Sequence, residues 1–274
     1  MKVNTHRPVL IASMNLHRTA AANHNAYNVV VKENTILCFQ EPNVNGTNVT
    51  GFDSLVHFCP RACGSRPKVG LAVPQGMRVL HMKPLDLSST VTVLIELDNK
   101  PNNTDKTKNA EDCDKLYVTS IYFNKSEELS DYLRDLDKIN SMVGGNAWII
   151  TGDSNCRSTT WGDKITDTRE RMMEEWVVSS GCHIINTGCE PTFESRKGSS
   201  IPDIAIGNDT ALRYDVRFEV SEMETLSDHR RITVELDMKA HQGGEEGTRK
   251  IKPRSLNRDN FTRRCHLSWK QFNR

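Results

Sequence analysis

Four short segments of this chain bring side chains able to handle a cation, a phosphate or a proton to the ends of apolar runs. Asn15 follows the run 9–14. Glu41 follows 35–39, in Cys-Phe-Gln-Glu-Pro. Asp153 and Asn155 follow 147–151, in Thr-Gly-Asp-Ser-Asn, and the pair Asp228 and His229 precedes 231–238, in Leu-Ser-Asp-His-Arg. Carboxylate and carboxamide oxygens are hard donors of the kind that Mg²⁺ or Mn²⁺ takes, and the imidazole adds a group that moves a proton near neutral pH. Each segment also has a plain structural explanation. Gly-Asp-x-Asn can close a strand as an Asx-turn, Gln-Glu-Pro can be a solvated strand exit, and a lone histidine is more often a satisfied surface or core residue than a catalyst. The joint pattern is what points to chemistry. Rigid strands aim the residues at their ends toward a shared rim, and the rim collected here is rich in hard oxygens.

The elements that must do the aiming are legible as alternating short runs and amphipathic stretches. Runs at 9–14, 35–39, 69–73, 91–97, 116–123 and 147–151 have the length and apolar density of buried strands, and shorter strands are expected at 183–186, 202–206, 213–220 and 231–238. Apolar spacing predicts helices over 20–32, over 128–142 behind a Ser126 cap, and over 166–179. Helices fall between strands rather than in one block, which predicts a layered α/β domain with sheets inside and helices outside. Residues 99–114 are polar and read as an exposed loop, 43–51 is turn-rich, and no internal repeat is visible. A Gly-Gly-Glu-Glu-Gly stretch after residue 240 reads as a linker, so the compact domain is expected over 1–240 and a basic tail over 241–274.

Composition narrows the classes. At 274 residues, 36% hydrophobic and 26% charged, the chain has the make-up of a globular domain rather than of a disordered or fibrous one. Its apolar runs are too short for a membrane helix or a secretory leader, so neither a membrane nor secretion is expected. The net charge of +1 conceals an asymmetry: 241–274 holds nine Lys and Arg against three acids, a tail of +6 on a body of −5. An acidic body argues against broad electrostatic coating of DNA and is compatible with a pocket that gathers carboxylates for a metal. The eight cysteines form no C-x-x-C pair, which disfavours zinc and fits reduced thiols in a cytosolic or nuclear protein.

In chain order, Asn15, Gln40-Glu41, Tyr122, Gly152-Asp153-Ser154-Asn155, Asp203 within Ser-Ile-Pro-Asp-Ile-Ala-Ile, and Ser227-Asp228-His229 resemble the motif set of the endonuclease/exonuclease/phosphatase superfamily. Finer features resemble its apurinic/apyrimidinic-like branch in non-LTR retrotransposons, and the site-specific elements most closely. These are Asn15-Leu16-His17-Arg18, the Gln-Glu-Pro, Trp161-Gly162 after Gly-Asp-Ser-Asn, and Pro191-Thr192-Phe193 ahead of Asp203. The resemblance implies a four-layered α/β sandwich, two central mixed β-sheets flanked by helices. It implies Mg²⁺, with Mn²⁺ as a substitute, held by Glu41, Asp228 and Asn15. Asp153 would orient or deprotonate the attacking water, and Asn155 would hold Asp153 and a phosphate oxygen. His229, oriented by Asp203, would donate to the scissile phosphate, with Tyr122 near that phosphate and Thr192 contacting it or bracing the His–Asp pair. For Tyr122 and Thr192, core packing and strand propensity are competing explanations. Two departures from the family pattern are Pro202 directly before Asp203 and Ser154 where many members carry a bulky apolar residue.

The function implied is a Mg²⁺-dependent endonuclease that nicks double-stranded target DNA and leaves a 3′-hydroxyl to prime reverse transcription. A repair-type abasic-site endonuclease, or another metal-dependent phosphoesterase of the same superfamily, is the alternative. A catalytically silent nucleic-acid-binding module ranks last, since every ligand and base of the set is present. Arg61, Arg66 and Lys68 in one loop and Arg196 and Lys197 in another are candidates for phosphate contact, with solvated surface charge as the competing reading. The expected partner beyond the tail is a reverse transcriptase domain of the same polyprotein, the isolated domain is expected to be monomeric, and the expected site of action is the nucleus.

Overall fold

The computed structural model describes residues 8–60, 66–83, 87, 89–97, 114–166 and 168–237; Arg61, most of the loop 99–114 and the tail 241–274 lie outside them. Two six-stranded mixed sheets form the centre. The first runs Asp215–Val220 (β15), Ile232–Asp237 (β16), Val9–Asn15 (β1), Ile36–Gln40 (β2), Val69–Val73 (β6) and Val56–Phe58 (β5). The second runs Cys182–Ile184 (β11), Asp203–Asn208 (β14), Ala147–Asp153 (β10), Asp114–Tyr122 (β9), Thr90–Leu97 (β8) and Val79–His81 (β7). Two small ribbons stand outside the sheets, Val44–Asn45 (β3) with Asn48–Val49 (β4), and Phe193–Ser195 (β12) with Gly198–Ser200 (β13).

The strands β1, β2, β6, β10 and β14 are buried along most or all of their length because each is covered on both faces. That is why their sequences read as continuous apolar runs and not as alternations. Between the sheets lie Ile11, Ile36, Val69, Val93, Val118, Ile149 and Val234. On the outer face of the first sheet, Ala20–Glu33 (α1) packs Ala22, Ala26, Val29 and Val30 onto Ala12, Leu37 and Phe39. On the outer face of the second, Leu129–Val143 (α2) and Thr168–Ser179 (α3) pack Leu133, Leu136, Ile139, Met173 and Trp176 onto Ile121, Trp148, Ile150 and Ile204. Helix, sheet, sheet, helix: the four-layered sandwich is as expected.

The two sheets repeat one plan. In each, a parallel pair (β1 with β2, β10 with β9) is flanked by antiparallel neighbours (β16 and β6, β14 and β8). The antiparallel outer strands β15 and β5, and β11 and β7, extend the match to the edges. β1 packs over β10 and β2 over β9. The sequence shows no repeat because hydrophobicity, not residue identity, is what a sandwich strand requires.

Most expected elements are present, with ends shifted by one to three residues. One expectation fails: α2 starts at Leu129 with Glu128 before it and no side-chain cap, while the amide and hydroxyl of Ser126 both donate to Asn124 Oδ1. The cap signal of Ser126 is absorbed by an Asx-type turn in the loop ahead of the helix. α1, in contrast, is capped by Thr19, whose Oγ1 accepts the Ala22 amide, and it stops at Asn34 in the left-handed region.

Candidate active site

Because β1 and β2, and β9 and β10, are parallel pairs, their C-terminal ends fall on one edge of the sandwich. In register, Asn15 stands beside Gln40, and Asp153 stands between Tyr122 and Asp203. The turn into β16 delivers Asp228 and His229 to the same edge. All nine residues singled out by sequence therefore meet on this rim.

Three hydrogen bonds cross from one sheet to the other there, each joining structurally matched strands. Asn15 Nδ2 donates to Asp153 Oδ2 at 2.9 Å, from β1 to β10. The Tyr122 hydroxyl, at the end of β9, donates to Glu41 Oε1, just past β2. His229 Nδ1 pairs with Asp203 Oδ2 at 2.9 Å, from the start of β16 to the start of β14. Directly beneath, the Gln40 side chain spans Ser13 at 3.2 Å and Ser120 at 3.3 Å, a fourth polar link between the sheets.

Asp153, Asp203 and His229 form the dry part of the site, 2%, 2% and 7% exposed. Asp203 Oδ2 also accepts the Thr192 hydroxyl at 2.6 Å, so Thr192 is the brace of the His–Asp pair. Phe193 packs its ring 5.0 Å from that of His229. Burial works against a charged imidazole, yet Asp203, then Asp153 and Asp228, outweigh it and hold the conjugate acid of His229 up at about 9. Asp153 is pushed up from the usual carboxylate range, to about 7, by burial first and Asp203 second, although His229, the Asn155 amide at 2.9 Å and the Asn15 side chain pull it down. Asn155 Nδ2 also lies 3.3 Å from Asp153 Oδ2. Asn155 Nδ2 donates to the Phe123 carbonyl as well, which ties the loop after β9 to the site.

Glu41 and Asp228 form the open part. Glu41 has a positive φ of 44° and accepts Arg18 Nη2 at 2.9 Å beside the Tyr122 hydroxyl. The phenol of Tyr122 is correspondingly pushed well above its ordinary range by burial and by Glu41. Asp228 Oδ1 lies 3.2 Å from His17 Nδ1. The roles of His17 and Arg18 as partners of these carboxylates were not legible, because both stand in a turn of left-handed residues that no local pattern announces.

Several flanking residues are structural supports. Gly152 has a φ of 153°, and a Cβ there would lie 2.0 Å from the Ile121 carbonyl oxygen, so the residue before Asp153 must be glycine. Trp161 is buried and its indole N–H donates to the Ile201 carbonyl at 3.0 Å, while Asp163, paired with Arg157, accepts the Ile201 amide at 2.7 Å. The Trp-Gly element thus holds the lead into Asp203. The two departures touch each other: the Ser154 hydroxyl and amide both donate to the Pro202 carbonyl, at 2.8 and 3.0 Å. A small polar residue at 154 secures the proline-led entry to β14, which begins at Asp203 and so loses no ladder bond to the ring.

Among the candidate phosphate contacts, Lys68 lies 3.4 Å from Glu127 and its carbonyl accepts the Glu41 amide at 2.8 Å. Arg66 is exposed nearby, and Arg196 and Lys197 form the exposed turn of the β12–β13 hairpin, whose Phe193 end rests on His229. Among the described residues, no three His, Cys, Asp or Glu side chains gather as a ready metal cage. A hard-oxygen rim of this kind still fits Mg²⁺, which binds through one or two carboxylates with water and substrate phosphate completing its shell.

The Exo_endo_phos_2 family, described as endonuclease-reverse transcriptase, matches residues 116–233. A retrovirus-related Pol polyprotein from type-1 retrotransposable element R1 of Bradysia coprophila is 28% identical over 133 residues, which is 44% of this chain and 13% of that polyprotein. The endonuclease domain of TRAS1, a telomere-specific non-LTR retrotransposon, superposes with a TM-score of 0.71 at 23% identity, covering 85% of this chain and all of that one. The AP endonuclease LMAP from Leishmania major superposes with a TM-score of 0.58 at 14% identity, covering 84% of this chain and 88% of that one. The two structural likenesses agree with the sandwich.

Proposed function

We propose that the chain is a member of the endonuclease/exonuclease/phosphatase superfamily and a metal-dependent DNA endonuclease domain of a non-LTR retrotransposon, acting on chromosomal DNA in the nucleus, a reading supported by the family match over 116–233 and by the shared fold. It would nick one strand of duplex DNA and leave a 3′-hydroxyl for reverse transcription by a downstream domain of the same polyprotein. The observation that carries this reading is the convergence of Asp153, Asp203 and His229 from opposite sheets onto one dry point of the rim, 2.9 Å separating His229 Nδ1 from Asp203 Oδ2.

Hydrolysis needs a water activated on one side of the phosphorus and charge relief around it. Asp153, raised to about 7, has the basicity of a general base at neutral pH and takes the proton of the attacking water. Asn15 and Asn155 hold its carboxylate in place. Asp203 keeps His229 protonated and fixes its ring, so Nε2–H donates to a non-bridging phosphate oxygen as negative charge grows there. The P–O3′ bond breaks and the departing O3′ takes a proton from solvent water, giving a 3′-hydroxyl and a 5′-phosphate. Glu41 and Asp228, with Asn15 in support, are the residues that would hold Mg²⁺ or Mn²⁺, whose charge offsets that of the phosphate when bound. Tyr122 positions Glu41 from the second sheet. Arg66, Arg196 and Lys197 would meet the flanking phosphates, and Lys68 would do so after exchanging Glu127.

Supercoiled plasmid tests the proposal, with Mg²⁺, EDTA and His229→Ala as arms and polymerase extension reporting the 3′-hydroxyl. Open circles that extend, need the metal and disappear in the variant are expected. Folded protein that cuts abasic duplex and leaves intact duplex whole would replace this reading with the repair-type one. Protein that cuts neither would overturn it.

A further inference from the structure

The loop 221–228, which joins β15 to β16 and ends on Asp228, is pinned to the fold from several sides. The Ser221 amide donates to the Arg231 carbonyl at 2.8 Å, Asn25 Nδ2 to the Glu224 carbonyl at 2.7 Å, and the Ser227 hydroxyl to the Asn15 carbonyl at 2.8 Å. The Thr225 hydroxyl donates to the His229 carbonyl, and Thr19 Oγ1 to the Leu226 carbonyl at 3.3 Å. Within this frame Leu226 holds a positive φ of 60° with 47% of its surface exposed, and Met223 is 64% exposed. A bulky apolar residue gains nothing for folding from either condition, and glycine would meet both more easily. The hydrogen bond that anchors Leu226 is made by its carbonyl, and about half of the residue's surface stays open to solvent.

The surroundings say what that side chain can meet. Beside it a groove of about 600 Å³ runs along His229, lined by Glu194, Glu222, Met223, Glu224, Asp228 and Arg230. Arg230 is engaged by Glu194 at 2.7 Å, so the groove is acidic. Away from Asp228 and His229, its wall of Glu194, Glu222 and Glu224 offers a phosphate no counter-charge, so the loop is no phosphate grip beyond the scissile position. An exposed apolar side chain two residues from Asp228, on a pinned loop at the edge of this groove, suits the face of a base rather than a phosphate.

We propose, building on the endonuclease reading, that Leu226 contacts the base step flanking the scissile phosphate and so selects where this domain nicks. Deformable steps open to an apolar side chain at lower cost, which makes the contact a source of site preference. Leu226→Gly separates the two roles the residue could have, because it relieves the left-handed backbone while deleting the side chain. The expected result is an unchanged or higher melting temperature, a nicking rate on supercoiled plasmid lower by about tenfold, and sequenced nick positions spread more evenly. Leu226→Asn tolerates the same backbone and should lose the preference too, while Leu226→Met keeps an apolar reach and should retain it. If Leu226→Gly loosens the loop, Leu226→Asn and Leu226→Met decide the matter. Folded Gly and Asn variants with the rate and nick profile of the wild type would overturn this inference and leave the endonuclease reading standing. Wild-type protein that nicks no DNA would overturn both.

Discussion

The two sheets share strand order and strand directions, yet they furnish the rim differently. The second sheet contributes Asp153 and Asp203, both buried and each held by several donors. The first contributes Glu41, and Asp228 beside it, at the solvent edge, balanced by His17 and Arg18 from a turn of left-handed residues. The same scaffold therefore builds a dry half and a wet half. A proton-transfer group needs burial, because low polarity is what moves a carboxylate into the neutral range. A cation or phosphate site needs access and exchangeable partners, because its ligands arrive from solvent. His229 belongs to the first sheet by chain and to the second by its bond to Asp203, and it joins the halves.

The comparison can be broken most severely at Asp153. Asp153→Asn removes the base, and nicking should fall by roughly 10²–10⁴-fold with DNA binding retained, read by single-turnover cleavage beside a binding titration. On the wet half, Glu41→Gln should act through the metal: the Mg²⁺ concentration for half-maximal nicking should rise by about tenfold or more, while saturating Mg²⁺ restores part of the rate. A rate loss that Mg²⁺ does not recover would place Glu41 with the dry half instead.

Stability against pH isolates the dry half without any substrate. His229 is raised from 6.5 to about 9, so its contribution is complete below pH 6.5 and lost as pH rises through about 9. Asp153, raised from 3.8 to about 7, has the same sign, its contribution complete below 3.8 and lost through about 7. In EDTA the melting temperature should accordingly fall between pH 6.5 and 9 as the unfolding free energy drops by on the order of 2–3 kcal/mol, and Asp203→Asn should flatten that fall. A melting temperature that climbs across this window in the wild type would contradict the pairing. The smallest effect is expected at Lys68. Its contact with Glu127 is exposed, so Lys68→Ala should change stability by less than about 1 kcal/mol in chemical denaturation, while weakening DNA binding at low salt.

Much of this molecule was readable without coordinates. The buried strands announce themselves because covered sheets require unbroken apolar runs, and six of the rim residues (Asn15, Glu41, Asp153, Asn155, Asp228 and His229) because they stand as polar side chains beside the ends of such runs, whereas Tyr122, Thr192 and Asp203 are singled out only by the family resemblance. Other parts were silent. The Ser126 signal was spent on a turn, the β12–β13 hairpin is polar apart from Phe193 and has no strand pattern, and Trp161, a family signature by resemblance, proved to be a support for the lead into Asp203. Gln40, quoted as part of a motif, carries the polar link between sheets, and its partners Ser13 and Ser120 lie 27 and 80 positions away.

Local chemistry thus determined which long buried strands exist and where they end, because hydrophobic period and turn chemistry act over a few neighbours, while the short strands β3, β4, β5, β7, β12 and β13 left no such signal. Which carboxylate is dry and which is wet, and which residue answers which across the rim, was decided by the packing of β1 over β10 and β2 over β9. Asn15 and Asp153 are 138 positions apart in the chain and 2.9 Å apart in space. Proton affinity and hydrogen-bond partnership depend on burial and distance, and those are properties of the assembled sandwich.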